Sequence, residues 1–300
     1  MIKDNILETI GRTPLVRINS MNPNKRVILS AKIESVNPSG SLKDRIAHYM
    51  ISKAEEEGTL TKDKVILEST SGNMGISLAM VAAVKGYRTA VTLLESASIE
   101  KRSILEAYGV EILSIPGDRG PDGARDEAAR LCKEFPGKYF LIGQNFNKNN
   151  LMAHYETTGK EIWEDTNGEV DYFVAGIGTS GTLMGVGKRL KELKPEVKVI
   201  GVEPYPKHKV YGLKNLEVSR LPEIYDERWI DEIIRVSDEQ AIQTTRRLIR
   251  KEGIFAGVSS GAVMFAALEK VKTLDKGNMV VLLADGGERY LSTGLLTDKR

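Results

Sequence analysis

Short apolar runs alternate along this chain with longer stretches whose apolar positions recur at helical spacing. The first pattern predicts buried strands and the second amphipathic helices. "VILSAKIE" reads as a strand, and a Pro-Ser-Gly-Ser loop then leads into a helix from about Lys43 to Gly58. "KVILEST", "RTAVTLLE", "VEILSIPG" and "KYFLIGQ" read as further strands, separated by "MGISLAMVAAVKG", "SIEKRSILEAYG" and "DGARDEAARLCKEFPG" as helices. A long helix through "AHYETTGKEIWEDT" is followed by "DYFVAGIG", "TLMGVGKRLKEL" and "VKVIGVEP", then by a less regular stretch from Tyr205 to Asp231. "EIIRVS", "DEQAIQTTRRLIRKEG", a helix after "GVSSG" and the strand "NMVVLLAD" complete the series.

Alternating strands and helices imply right-handed βαβ units and largely parallel sheets, covered on both faces. A division near residues 145–160 gives two α/β halves, with a ligand between them beyond the carboxyl ends of the strands. Composition narrows the class of protein. With 300 residues, 41% hydrophobic and 28% charged, the chain has ample core, and a net charge of +2 provides no field for nucleic acid or membrane. The single cysteine, Cys132, excludes a disulfide framework and fits a reducing compartment. Three histidines share no ligand spacing, so no metal site is expected. "MIKDNILETIG" has neither a signal nor a transit pattern, and no apolar run is long enough to span a bilayer. The chain therefore reads as a cytoplasmic enzyme or binding protein.

Three loops after strands are richer in Gly, Ser and Thr than turns require. In "FVAGIGTSGTLMG" the run Gly178, Thr179, Ser180, Gly181, Thr182 precedes a helix. Backbone N–H groups, hydroxyls and a helix N-terminus suit a phosphate; a tight turn with an N-cap explains only one Gly and one hydroxyl. The same stretch matches G-x-G-x-x-G through Gly176, Gly178 and Gly181, with Glu203 ending the next strand, so a nicotinamide-dependent oxidoreductase competes on this motif. That alternative provides no role for "PSGSLKD" or "ESTSGNMG". The latter offers hydroxyls, an amide and helix N–H groups to a carboxylate or ring hydroxyl, or is merely an elaborate N-cap. "FAGVSSGAV" repeats the arrangement with Ser259 and Ser260, and Asp285 ends the last strand. Lys43 stands at a helix start, where the dipole disfavours a cation. Either it snorkels to solvent, or it serves as a neutral amine nucleophile. Lysine, phosphate cradle and carboxylate loop together are what pyridoxal phosphate (PLP) and an amino acid would need.

In order and spacing, "IGRTPLVRI", "NPSGSLKDR", "TSGNMG", "GTSGT", "EGIFAGVSSGA" and "GGERYLSTG" resemble the cysteine synthase family of fold-type II PLP enzymes, from about Ile10 to Gly294. The resemblance implies two parallel-sheet α/β domains of the tryptophan synthase β type, with PLP in the cleft between them. A larger cofactor domain would comprise residues 1–37 and 156–300, and a smaller mobile substrate domain residues 38–155. Lys43 would form the Schiff base and move the α-proton, Asn73 would bond the ring hydroxyl, and Gly178 to Thr182 would hold the phosphate. Thr70, Ser71 and Met74 would form the substrate-carboxylate loop, with Gln144 beside it. Ser259 would lie near the ring and Asp285 opposite its nitrogen. The implied reaction is β-replacement of an O-activated L-serine, O-acetyl or O-phospho, by sulfide to give L-cysteine through an aminoacrylate.

Three departures from the family pattern bear on substrate. Asp285 stands where many members have serine, as in the B-type and O-phosphoserine-using branches. Met74 replaces a usual threonine, which raises another nucleophile or leaving group, with lanthionine, cystathionine or a diamino acid as product, or cysteine desulfhydration. Lys214 lies near where the O-phosphoserine branch carries an arginine for the substrate phosphate, although a solvated basic loop is the slightly better account of each basic residue in "YPKHKVYGLKNLEVSR" taken singly. A homodimer, and a serine acetyltransferase or sulfur-carrier protein as partner, are further implications of the family; a ligand sensor without turnover would retain the same residues.

Overall fold

The computed structural model describes residues 2–70 and 72–297. In chain order it forms β1 (Leu15–Arg17), β2 (Val27–Ile33), α1 (Lys43–Glu56), β3 (Val65–Ser69), α2 (Asn73–Lys85), β4 (Arg88–Leu94), α3 (Ile99–Ala107), β5 (Glu111–Ile115), α4 (Gly120–Glu134) and β6 (Tyr139–Leu141). Next come α5 (Asn149–Ala153), α6 (Gly159–Asp165), β7 (Tyr172–Gly176), α7 (Gly181–Leu193) and β8 (Lys198–Pro204). The chain closes with β9 (Glu232–Val236), α8 (Asp238–Arg247), α9 (Val258–Thr273) and β10 (Gly277–Leu283).

Two sheets result, in the orders β1-β2-β10-β7-β8-β9 and β5-β4-β3-β6. The smaller sheet is wholly parallel, and its central β3, "VILES", is buried at all five positions, as a strand covered by helices on both faces must be. The larger sheet is parallel except for the β1–β2 edge, which is antiparallel. A simple division into two consecutive halves does not hold. The N-terminal β2 joins the sheet of the second half, pairing with β10 along its full length. The chain thus starts in the large sheet, leaves to build the small one, and returns at β7.

The long helix expected around residue 160 is broken by a π-helical turn, His154–Thr158, between α5 and α6. Such turns widen a helix by one residue and recur at functional sites. No described helix is long and apolar enough to cross a membrane, and the described residues contain no metal-holding group of three or more His, Cys, Asp or Glu.

Candidate active site

Lys43 is the first residue of α1. The backbone before it is pinned to the end of β10: Leu42 N–H donates to the Ala284 carbonyl at 2.9 Å, and Ser41 pairs with Asp285. The residue as a whole is half-buried, yet burial of its amine lowers the pKa to about 8, opposed by the Asp285 carboxylate. Loss of solvent is thus the leading cause of the weakened ammonium; the helix start expected from the sequence is only its setting.

Two residues further on, the buried Arg45 bonds both oxygens of Glu34 (2.7 and 2.8 Å), Thr13 Oγ1 (3.1 Å) and Glu161 of α6. Glu161 also meets the buried Lys32 of β2 at 3.0 Å. These ions tie the first turn of α1 to the large-sheet side.

A series of neighbours leads from Lys43 to the glycine loop. His154, fully buried in the π-turn, has its pKa driven well below the ordinary value by burial and then by the Lys43 charge. Its Nδ1 lies 2.9 Å from Thr158 Oγ1 and its Nε2 lies 3.2 Å from Thr182 Oγ1. Thr182 belongs to the loop that opens α7. There Ser180, left-handed at φ 69°, is the N-cap, and its buried Oγ has no partner among the described residues. Thr179 Oγ1 accepts from Asn150 Nδ2 at 3.0 Å. A Cβ on Gly178 would overlap the Gly212 carbonyl, and one on Gly181 would overlap the Asn150 amide. Packing from behind therefore demands these glycines, in addition to any ligand in front.

At the other end, Asp285 Oδ2 accepts from Asn73 Nδ2 and from the Tyr290 hydroxyl, both at 2.7 Å. Its Oδ1 is buried without a partner among the described residues. The Asn73 Oδ1 accepts from Arg289, a side chain only 2% exposed. Ser259, the second residue of α9, is buried at that helix's start, and Gly257 N–H donates to the Asp285 carbonyl at 3.0 Å.

The expected carboxylate loop precedes α2. Thr70 is buried, its Oγ1 accepting from Gly72 N–H at 3.0 Å; Ser71 lies outside the described residues. The Met74 side chain is 1% exposed and belongs to the core cluster that includes Leu42, Ile46 and Ile142, so its thioether is a packing group. Gln144 is tied to the loop, with Nε2 donating to the Ser69 carbonyl at 3.2 Å. Beneath both, the buried Glu68 accepts from Ser69 N–H (2.9 Å) and Gln144 N–H (3.0 Å), and burial raises its pKa to about 7.

Lys214 is not a freely solvated side chain. Its Nζ donates to Asn145 Oδ1 at 3.0 Å, and its pKa falls to about 8 through burial and then the nearby Arg125 charge. Glu203, the acid a dinucleotide reading would need, is buried and already occupied: it accepts from Leu216 N–H and Arg235 Nε, each at 2.8 Å. Both oxygens that a ribose would need are thus engaged by protein donors, which counts against the dinucleotide reading of the glycine motif. Cys132 is half-buried, with Sγ 3.6 Å from the Tyr139 carbonyl.

Sequence reasoning passed over His154, Lys101, Arg289 and Tyr290. Lys101 of α3 is 3% exposed, lies along Gly72, and places its ammonium 4.6 Å from the centre of the Tyr290 ring. "GGERYLSTG" marked the last two as part of a motif, but nothing in the string distinguishes a buried arginine from an exposed one.

The family model described as pyridoxal-phosphate dependent enzyme matches residues 6–285. Cysteine synthase A of Escherichia coli is 42% identical, covering 99% of this chain and 96% of its own. Cysteine synthase B of the same organism is 39% identical, covering 97% and 96%. Among solved structures, O-ureido-L-serine synthase superposes with a TM-score of 0.94 at 39% identity, covering 100% of this chain and 98% of that one.

Proposed function

The chain belongs to the pyridoxal-phosphate dependent enzymes, and we propose that it is a cysteine synthase, replacing the β-substituent of an O-activated L-serine with sulfide. The observation that carries this reading is the neutral-prone Lys43 amine, which feels the Asp285 carboxylate, together with two buried oxygens without a partner among the described residues, Ser180 Oγ and Asp285 Oδ1. Orphaned buried polar atoms are rare unless a ligand completes them. PLP fits: its phosphate suits Ser180 and the first N–H groups of α7, and its ring suits the space bordered by Asn73, Ser259 and Asp285. Bound there, PLP would supply an aldehyde for an amine and a sink for the electrons of an α-carbanion.

The chain's own groups divide the remaining work. Lys43 Nζ would hold the cofactor and, as a neutral amine, would take the α-proton of the bound amino acid. The N–H groups at the start of α2 and the Gln144 amide orient the substrate carboxylate, with Glu68 fixing the backbone beneath them. The segment 38–155 closes over the site and excludes water. The enzyme would act in the cytoplasm as a homodimer, and a serine acetyltransferase or sulfur carrier would be its protein partner.

The likeness to O-ureido-L-serine synthase makes a second nucleophile worth testing. Purified protein should show a visible absorption band that is absent in Lys43→Ala. O-acetylserine or O-phosphoserine should shift it, and sulfide should restore it with release of L-cysteine. Restoration only by L-cysteine or L-homocysteine would move the assignment to lanthionine or cystathionine synthesis. No band after reconstitution with PLP would overturn the proposal.

A further inference from the structure

Arg289 lies in the 3-10 turn Gly287–Thr293 and is among the largest fully buried side chains. Its nearest carboxylate, on the half-exposed Glu288, is 3.9 Å away, so no close ion pair compensates its burial. Among the described residues its guanidinium makes one hydrogen bond, from Nη1 to Asn73 Oδ1. The same amide donates through Nδ2 to Asp285 Oδ2 at 2.7 Å.

A guanidinium only donates and a carboxylate only accepts. A flipped Asn73 would set its NH2 against Arg289 and its carbonyl against Asp285. Both contacts would be repulsive, so the orientation is fixed by chemistry. Of the two Nδ2 hydrogens Asp285 takes one. Asn73 is left with one uncommitted N–H, a group that binds an oxygen able to accept.

We propose that Arg289 is a positioning residue that locks the Asn73 amide, so that the site offers the cofactor ring oxygen a donor and favours its deprotonated form. This rests on the reading that Asn73 meets the ring hydroxyl. Arg289 acts from outside the reacting atoms, and the proposed effect passes through Asn73, although its charge also reaches the buried Asp44, Lys101 and Tyr290.

A double-mutant cycle with Arg289→Met and Asn73→Ala tests it, reading PLP dissociation constants and the ratio of visible to near-UV absorption across neutral pH. Arg289→Met is expected to weaken PLP binding roughly tenfold, the effect of one lost hydrogen bond to a charged group, and to shift absorption from the visible to the near-UV. In the Asn73→Ala background the same change is expected to add less than about twofold. If Arg289→Met does not fold, Arg289→Lys enters the cycle, keeping the charge while shortening its reach. Equal losses in both backgrounds, or an unchanged band ratio and affinity in the single variant, would overturn the proposal. A wild-type protein that binds no PLP would overturn the functional reading as well; normal wild-type binding with an additive cycle overturns this inference alone.

Discussion

A lysine amine attacks an aldehyde only after it has shed its proton, so the pKa of Lys43 sets how readily PLP is captured. With that pKa near 8, the neutral fraction falls about tenfold for each pH unit below it. The rate at which PLP-free protein develops its visible band should therefore climb with pH up to about 8 and flatten above. A rise that continues toward the ordinary lysine value of 10.5 would show the amine to be solvated instead. The same shift has a cost in folding. Between about 8 and 10.5 the unfolded chain binds more protons than the folded one, so stability rises with pH across that window. Below it the buried ammonium opposes folding, and Lys43→Met should be more stable than wild type at neutral pH. Chemical denaturation of the two PLP-free proteins at neutral and alkaline pH checks the sign.

At the scale of elements, α1 owes its placement to Arg45, whose side chain is as inaccessible as that of Glu34. Removing one member of a buried ion pair strands the other charge, so Arg45→Met should cost about 3–5 kcal/mol. A shift in the urea midpoint equivalent to less than about 1 kcal/mol would mean that solvent reaches the network and relieves it. The amphipathic helix that carries Arg45 was plain in the sequence; the network was not. Strand–helix alternation is written locally, in spacing and Gly-rich ends, and glycine loops declare themselves by composition. β1 escaped notice because "LVR" is three residues long and its pairing with β2 is an edge contact that no local pattern encodes. His154 was hidden by the π-turn, which shifts the helical register by one residue. Arg289 and Lys101 reach the site through docking between distant parts of the chain: Ser98 Oγ bonds the Arg289 carbonyl at 3.1 Å, and Glu100 accepts from Ser292 Oγ at 2.8 Å. Lys43, Asn73 and the 178–182 loop stand out in the sequence as candidates because each sits at a strand-to-helix junction with an unusual residue in it.

Across the whole molecule, the segment between β8 and β9 reaches from the large sheet to the small one. Lys214 bonds Asn145, Glu223 N–H donates to the Asn145 carbonyl at 2.9 Å, and Arg220 meets Asp126 of α4 at 3.1 Å. This bridge carries Lys214 in a half-buried place with Arg125 and Arg220 as its charged neighbours, and Asp122 as the opposing acid. A cation crowded by cations gains most from an anion, and an O-phospho group is one, whereas an O-acetyl group is not. If the bridge borders the leaving group, Lys214→Ala should raise KM for O-phosphoserine roughly tenfold or more, the effect of one charge-assisted hydrogen bond. KM for O-acetylserine should change by less than about twofold, since its neutral leaving group carries no charge for the ammonium to pair with. The pKa adds a sign: Lys214 is charged below about 8, so the preference for the phosphorylated donor should fade as pH rises through that value. High salt should reduce the same preference by screening. Equal sensitivity of both donors to the substitution would reduce Lys214 to a strut between the two sheets, and the choice of donor would then lie with the groups around Asp285.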